Sequence, residues 1–379
     1  MHPQFSQDSN LIYLNHAAVA PWPQCTYEAV EQFARENMQT GAQHYPDWIK
    51  TEKQLRERLR RLLNAKSTDS IALLKNTSEA LSVIAYGLDW KQGDNVVLAE
   101  QEFPSNRIVW ESLRNLGVEA RVVRLPDFNN PEKALIEAMD GHTRLLTTSS
   151  VHYANGLRMD MERLGEACRK QGSLFCIDAI QSLGAFALDV TALQADFVVA
   201  DGHKWMLGAE GLAVFYCRPE RLETLSLHQY GWHMVQHAGD FDRSDWQPAS
   251  DARRFECGSP NMLGIHALNA SLGLLEETGL NTVSDSISNN MSYLIDNIGN
   301  IGSVELCSPT LPQRRAGIFT FKVNNLDPRR LHQYLMSNQV ICAQRGDGIR
   351  LSPHFYNTEE QLKTALNIIK QGVQTLNNG

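Results

Sequence analysis

Ala200-Asp201-Gly202-His203-Lys204-Trp205 is the stretch that decides the fold. It continues the apolar run Phe197-Val198-Val199-Ala200, which is short and β-branched enough to be a buried strand, and it sets a lysine just beyond that strand's carboxyl end. About one βα unit upstream, a second run, Leu174-Phe175-Cys176-Ile177, ends in Asp178 and continues as Ala179-Ile180-Gln181. Parallel strands of an open α/β sheet present their carboxyl ends to one crevice, where such sheets bind ligands. The spacing therefore predicts that a carboxylate, an amide and an amine meet there.

Outward from these two strands the alternation continues. Apolar runs at Ile71–Leu74, Asn95–Ala99, Ala120–Leu125, Leu145–Thr148 and Leu212–Cys217 are separated by helical patterns. One covers Thr51 to Asn64, with Leu55, Leu59, Leu62 and Leu63 at helical spacing, and another covers Met161 to Lys170. This predicts an α/β domain with a mostly parallel sheet of the seven-stranded type and helices on both faces. From Cys257 the texture changes to helical patterns at Gly264–Thr278, Thr282–Ile298 and Asp327–Asn338, with strand-like Ala316–Val323, Val340–Ala343 and Ile349–Ser352. The last helix opens on Thr358-Glu359-Glu360-Gln361, a capping-box pattern. The expected division is an N-terminal segment (1–19), a large α/β domain (20–256) and a small C-terminal α+β domain (257–379). No Gly-x-Gly-x-x-Gly follows the first strands, which weighs against a dinucleotide-binding dehydrogenase.

Composition narrows the classes. With 379 residues, 42% hydrophobic and 21% charged, the chain can bury a large core. A net charge of -8 and a pI near 5.9 oppose nucleic acid and anionic membranes as partners. No apolar stretch reaches the roughly 18 to 20 residues of a membrane helix, and the polar start lacks the blocks of a signal peptide, so a cytoplasmic location is expected. The seven cysteines include no Cys-x-x-Cys pair, which fits neither a disulfide framework nor a zinc site, and no metal is expected.

The crevice residues carry a specific chemistry. A lysine amine beside an aldehyde cofactor forms an imine, and an aspartate against a pyridine nitrogen keeps the ring protonated so that it accepts electrons from a carbanion. Alone, Lys204 reads as a solvated lysine and Asp178 as a loop acid; together they are the candidate catalytic pair of a pyridoxal 5'-phosphate enzyme. Lys75-Asn76-Thr77-Ser78-Glu79-Ala80 joins a strand to a helical pattern, and free amides at a helix N-terminus plus two hydroxyls make an anion site. The same residues would also serve as an ordinary helix cap.

Several short stretches taken in order carry a resemblance: Leu14-Asn15-His16-Ala17-Ala18, Lys75 to Ala80, Asp178 to Gln181, His203-Lys204, Arg254-Phe255-Glu256-Cys257-Gly258-Ser259-Pro260-Asn261, and Arg350. They resemble the class V aminotransferase group of fold type I pyridoxal-phosphate enzymes, which includes cysteine desulfurases, cystine lyases, kynureninases and isopenicillin N epimerase-like proteins. The resemblance implies that Thr77, Ser78 and His203 hold the cofactor phosphate. It also implies a homodimer with shared active sites, Ser259 reaching the phosphate from the partner subunit. Gln181 would donate to the ring's phenolic oxygen, Tyr153 would stand where a second residue contacts that atom, and Phe103 would stack on the ring where desulfurases carry a histidine. Phe103 cannot move protons, which leaves Lys204 as the main shuttle. Arg350 would bind the substrate carboxylate, a task suited to a planar fork of donors, so the substrate is expected to be a small amino acid.

Two departures bear on the reaction. Asp201 occupies the place of a phosphate-binding serine, and its carboxylate is expected to turn towards backbone amides or a basic group. The segment Gln344-Arg345-Gly346-Asp347-Gly348 is short and lacks the mobile cysteine of desulfurases, while Cys342 lies in an apolar run and is expected to be buried and inert. Aminotransferase-like action through an external aldimine is the broadest expectation. Carbon-sulfur lyase or desulfurase-like activity, or epimerisation, is the alternative; a non-catalytic cofactor-binding module is disfavoured because lysine, aspartate and arginine are all retained.

Overall fold

The computed structural model describes residues 2–8 and 10–377. In chain order the first elements are β1 (Ile12–Tyr13), α1 (Gln24–Thr40), α2 (Tyr45–Leu62), β2 (Ile71–Leu74), α3 (Thr77–Gly87), β3 (Asn95–Ala99), α4 (Ser105–Glu111) and β4 (Glu119–Val123). Next come α5 (Pro131–Ala138), β5 (Thr143–Ser149), α6 (Met161–Gln171), β6 (Leu174–Asp178), β7 (Phe197–Asp201) and β8 (Ala213–Cys217). The chain continues through α7 (Met262–Thr278), α8 (Leu280–Ile298), β9 (Val304–Leu306), β10 (Phe319–Val323), α9 (Pro328–Ser337), β11 (Val340–Ile341), β12 (Ala343–Arg345), β13 (Gly348–Leu351) and α10 (Glu359–Asn377).

The large sheet has seven strands in the order β2-β8-β7-β6-β5-β3-β4. From β7 to β4 every pairing is parallel, and β8 runs antiparallel to both β7 and β2. Every residue of β2, β3, β6, β7 and β8 is buried, because one apolar cluster covers each sheet face, which explains why these strands read as continuous apolar runs. Register places Ser149 beside Asp178 and Asp178 beside Val199, so the ends of β5, β6 and β7 open side by side. At the sheet's edge, β4 is partly exposed, and Arg121 pairs there with Glu119 and Asp140, charges that discourage edge pairing.

The small sheet is antiparallel, in the order β12-β13-β10-β9. The apolar run 340–343 is divided in two: β11 pairs in parallel with β1, whereas β12 turns to pair with β13. Ile12 and Leu14 consequently join the small sheet's own apolar cluster. Ile265, Leu268 and Leu272 of α7 instead belong to the large sheet's cluster. The capping box is formed: Gln361 N–H donates to Thr358 Oγ1 at 3.3 Å and Thr358 N–H to Gln361 Oε1 at 3.1 Å. One buried ion network fixes α2 to the large sheet, with Arg56 donating to Glu52, to Glu256 and to the Ile71 carbonyl. Among the described residues no helix is long and apolar enough to cross a membrane.

Candidate active site

Lys204 sits in a tight turn after β7. Gly208 N–H donates to the Gly202 carbonyl and Leu207 N–H to the Lys204 carbonyl. Leu207 is fully buried at φ 60, a left-handed conformation that costs a non-glycine residue on the order of 1–3 kcal/mol and persists only where its surroundings enforce it. The enforcement comes from Trp205, whose indole N–H donates to Gln181 Oε1 at 2.9 Å and whose carbonyl lies against Gly184. A Cβ at Gly184, already at φ 94, would be 2.5 Å from that oxygen. The lysine is 9% exposed and pairs with no carboxylate among the described residues. Burial lowers its amine to about 8, with Asp178 opposing the shift and Arg350 adding to it.

Asp178 ends β6 and accepts from the Ile180 N–H at 3.0 Å. Burial raises its carboxyl to about 7; that N–H opposes the rise and the Glu102 charge increases it. Glu102 itself went unnoticed in the sequence as a site residue. It lies buried just beyond β3 and accepts from Asn106 Nδ2 (3.0 Å), Thr148 Oγ1 (2.8 Å), Ser149 N (2.8 Å) and Ser149 Oγ (2.5 Å). His152, also buried, brings Nε2 to 3.8 Å from Glu102, and neither ring nitrogen has a hydrogen bond among the described residues. Burial lowers the pKa of that imidazole. In the sequence Glu102 stands three residues beyond the apolar run Asn95–Ala99, after Glu100 and Gln101, and nothing local sets it apart from Glu100.

At the head of α3, Asn76 Oδ1 accepts from Glu79 N–H at 2.9 Å, and helix geometry leaves the Thr77 and Ser78 amides without intrahelical partners. Thr77 Oγ1 is buried and unbonded, while the Ser78 hydroxyl donates to Ser105 Oγ at 2.9 Å. His203 Nδ1 lies 2.9 Å from Asp201 Oδ1, at an angle too poor for a hydrogen bond. The Asp201 carboxylate thus rests against a basic neighbour. Ser259 is exposed and shares a cleft with Lys75, Asn76 and Gly258.

Phe103, on the loop before α4, holds its ring centroid 5.6 Å from Lys204 Nζ and meets Tyr153 edge-on at 5.2 Å. Gln181 is largely committed, with Nε2 donating to the Ala17 carbonyl at 3.0 Å and Oε1 taken by Trp205, so one N–H remains. Arg350, on β13, is 1% exposed. It donates to the Tyr153 carbonyl at 2.8 Å and to Asn15 Oδ1 at 3.4 Å, its Nε is unbonded, and it pairs with no carboxylate among the described residues. Burial, with Arg345 adding, lowers its pKa to about 9. Asn15 and Arg345 had drawn no role from the sequence. Cys342 is 3% exposed, and burial raises its thiol to about 12.

These fittings suit pyridoxal 5'-phosphate: an amine for its aldehyde carbon, a buried carboxylate for its ring nitrogen, an aromatic plane, and an unbonded hydroxyl with free helix amides for its phosphate. A mostly parallel sheet with a lysine in the turn beyond one strand and an aspartate at the end of the next is the arrangement of the fold type I class. The family model for class V aminotransferases matches residues 12–364, and the chain belongs to that family. A probable cysteine desulfurase of Methanothermobacter thermautotrophicus is 30% identical over 374 residues, covering 93% of this chain and 92% of that protein. The apo structure of cysteine desulfurase from Thermococcus onnurineus superposes with a TM-score of 0.87 at 24% identity, over 97% of this chain and 95% of that one. The cystine C-S lyase C-DES in complex with its product cysteine persulfide gives 0.86 at 21% identity, over 96% and 98%.

Proposed function

We propose that this chain is a pyridoxal-phosphate enzyme that expels a sulfur leaving group from the β-carbon of a small amino acid, acting as a carbon-sulfur lyase without a cysteine relay. The observation that carries the reading is Arg350, a buried guanidinium near the Lys204 amine with no acidic partner among the described residues. Removing a charge from water costs several kcal/mol unless an opposite charge meets it, and an amino-acid carboxylate would do so. The relatives' names favour sulfur chemistry over transamination. The burial of Cys342 and the cysteine-free loop 344–348 support elimination without persulfide transfer through the protein.

The bound cofactor would supply an electron sink for the carbanion formed at Cα. Asp178 holds a proton at the ring nitrogen, and a cationic ring would in turn favour the ionised carboxylate that burial disfavours. Arg350 fixes the substrate carboxylate and hence which bond at Cα faces the ring. Lys204, its amine lowered to about 8, is partly neutral near pH 7 to 8 and can take the Cα proton. As that electron pair becomes the second Cα–Cβ bond, the Cβ–S pair leaves on sulfur, which takes up a proton; water then releases pyruvate and ammonia. Phe103 offers a plane and no proton. Ser259 completes the phosphate site of a second copy of the chain, so the working unit is a homodimer.

The test is to supply the holoenzyme with L-cystine, L-cysteine and L-alanine, the last with a 2-oxo acid, and to measure pyruvate, sulfur release and amino transfer. Pyruvate should form with sulfur release, and borohydride reduction with peptide mapping should place the cofactor on Lys204. Amino transfer without sulfur release would replace the lyase with a transaminase.

A further inference from the structure

We propose that Asp201 is a positioning residue for the cofactor phosphate, holding the His203 ring by Nδ1 so that the other nitrogen, Nε2, donates to that phosphate. The proposal rests on the cofactor site and not on which reaction follows. β2 and β7 each run antiparallel to β8, so they are parallel to one another and end at the same edge of the sheet. The head of α3, which follows β2, therefore lies at the edge where β7 ends in Asp201. Side chains alternate along a strand, so Asp201 shares a face with Phe197 and Val199, and those two pack in one apolar cluster with Ala80, Leu81 and Ile84 of α3. The Asp201 carboxylate is thus on the α3 side of the sheet. At that end the Thr77 and Ser78 amides lack intrahelical partners, and Thr77 Oγ1 is buried and unbonded.

An acid in that place is unfavourable by itself, because a carboxylate repels a phosphate dianion. Its surroundings show what offsets the repulsion. Asp201 is 6% exposed, its Oδ1 lies 2.9 Å from His203 Nδ1, and both atoms are buried without a hydrogen bond among the described residues. Buried polar atoms left unbonded are rare, and a turn of the imidazole converts these two into one charge-assisted bond. A carboxylate at Nδ1 fixes a proton there. A phosphate at Nε2 calls for a proton on that nitrogen too, and an imidazole between two anions can carry both. Where the serine of the family would give the phosphate one hydroxyl, this chain gives it a histidine cation held from behind. The Asp201 charge also reaches Lys204 and Asp178, so a test must separate the phosphate from the rest of the cofactor.

The experiment measures Kd for pyridoxal 5'-phosphate and for pyridoxal, which lacks the phosphate, by equilibrium dialysis against apoprotein prepared from the holoenzyme. The ratio of the two isolates the phosphate and cancels effects on Lys204 and Asp178. In Asp201→Asn, which keeps the shape and loses the charge, the advantage conferred by the phosphate should fall roughly 10-fold, the lower range of a charge-assisted hydrogen bond. Simple repulsion predicts the opposite sign, since neutralising the acid would then raise the advantage. In a His203→Gln background the link is gone, so Asp201→Asn should no longer lower the ratio. Asp201→Ala repeats the comparison should the asparagine variant fold poorly, with circular dichroism as the check on folding. A ratio that rises or stays level in Asp201→Asn, or falls equally with and without His203, overturns the proposal and leaves the cofactor and lyase readings intact. A wild type that takes up no pyridoxal 5'-phosphate overturns it together with those readings.

Discussion

Arg56 and Arg350 are both buried guanidinium groups, and they live under opposite conditions. Arg56 donates to Glu52 at 2.6 Å and to Glu256 at 2.7 and 2.8 Å; burial alone would lower its pKa, but the two carboxylates raise it further than burial lowers it. Arg350 has carbonyl and amide oxygens for partners and no carboxylate among the described residues, and its pKa falls to about 9. The first region spends its charge on holding α2, β2 and the Phe255–Cys257 segment together. In the second, the charge meets no carboxylate among the described residues and lies near enough to Lys204 to help lower its amine, while its hydrogen bonds hold only the Tyr153 carbonyl and Asn15. Burial of a cation is therefore uninformative by itself in this fold; the identity of its partners separates a structural arginine from one that awaits a ligand.

The sharpest break of that comparison is a pair of substitutions. Arg56→Met strands Glu52 and Glu256 in the interior and should cost about 3–5 kcal/mol in urea unfolding. Arg350→Gln removes a charge that meets no carboxylate among the described residues, together with hydrogen bonds to the Tyr153 carbonyl and Asn15 Oδ1, so apoprotein stability should fall by about 1–2 kcal/mol, well short of the Arg56 effect. Its damage should appear in kcat/KM, which should fall about 100-fold, mostly through KM. Equal destabilisation by the two substitutions would mean that Arg350 has a structural duty after all.

A smaller effect sharpens the comparison on the acidic side, where Asp178 is the counterpart of Arg350. Its folded-state value, about 7, lies above its ordinary 3.8, so between those values the folded protein binds more protons than the unfolded chain. The stabilising contribution is then fully present below about 3.8 and is lost as pH rises towards about 7. Urea unfolding of the apoprotein across that window should show stability falling with pH by at most about 1.4 kcal/mol per unit, and Asp178→Asn should remove the slope. A slope unchanged in the variant would assign the titration to another buried group. In the holoenzyme the same substitution should lower turnover more than substrate binding.

The legibility of this molecule in its sequence follows the same division. The large sheet could be read because strands buried on both faces appear as unbroken apolar runs, and each such run became a strand within a residue or two. The split at Cys342 could not be read, since pairing with β1 across more than 300 positions of sequence, rather than any local preference, ends β11 there. Lys204, Asp178 and Arg350 could be singled out as candidates because each stands at a strand end or in a short recognisable stretch. Gln181 could be singled out as a candidate, but its commitments to Ala17 and Trp205 could not, because they depend on where the N-terminal segment and the Lys204 turn come to lie. Arg345 escaped notice because a lone arginine near a glycine turn has no signature, and only the register of the β12–β13 pair sets it diagonal to Arg350.

The smallest expected effect belongs to Cys342, and it tests whether the site's neighbourhood contains a reactive group that the comparison has overlooked. A thiol must be ionised and accessible to attack a sulfur substrate, and Cys342 is neither: it is 3% exposed, and burial raises it to about 12. At pH 8 a thiol of that value is thiolate in only about one molecule in ten thousand. Its carbonyl accepts from His332 and its side chain packs within the small sheet's apolar cluster, so exposing the sulfur would require opening the β11–β12 junction. Cys342→Ala should therefore cost about 1 kcal/mol of stability from lost packing and change the rate of sulfur release less than twofold. The measurement is pyruvate and sulfide formation from L-cysteine and L-cystine at matched cofactor content. A hundredfold loss in a folded, cofactor-loaded variant would show that the junction opens on binding, restore a persulfide-forming cysteine, and make the reaction that of a desulfurase.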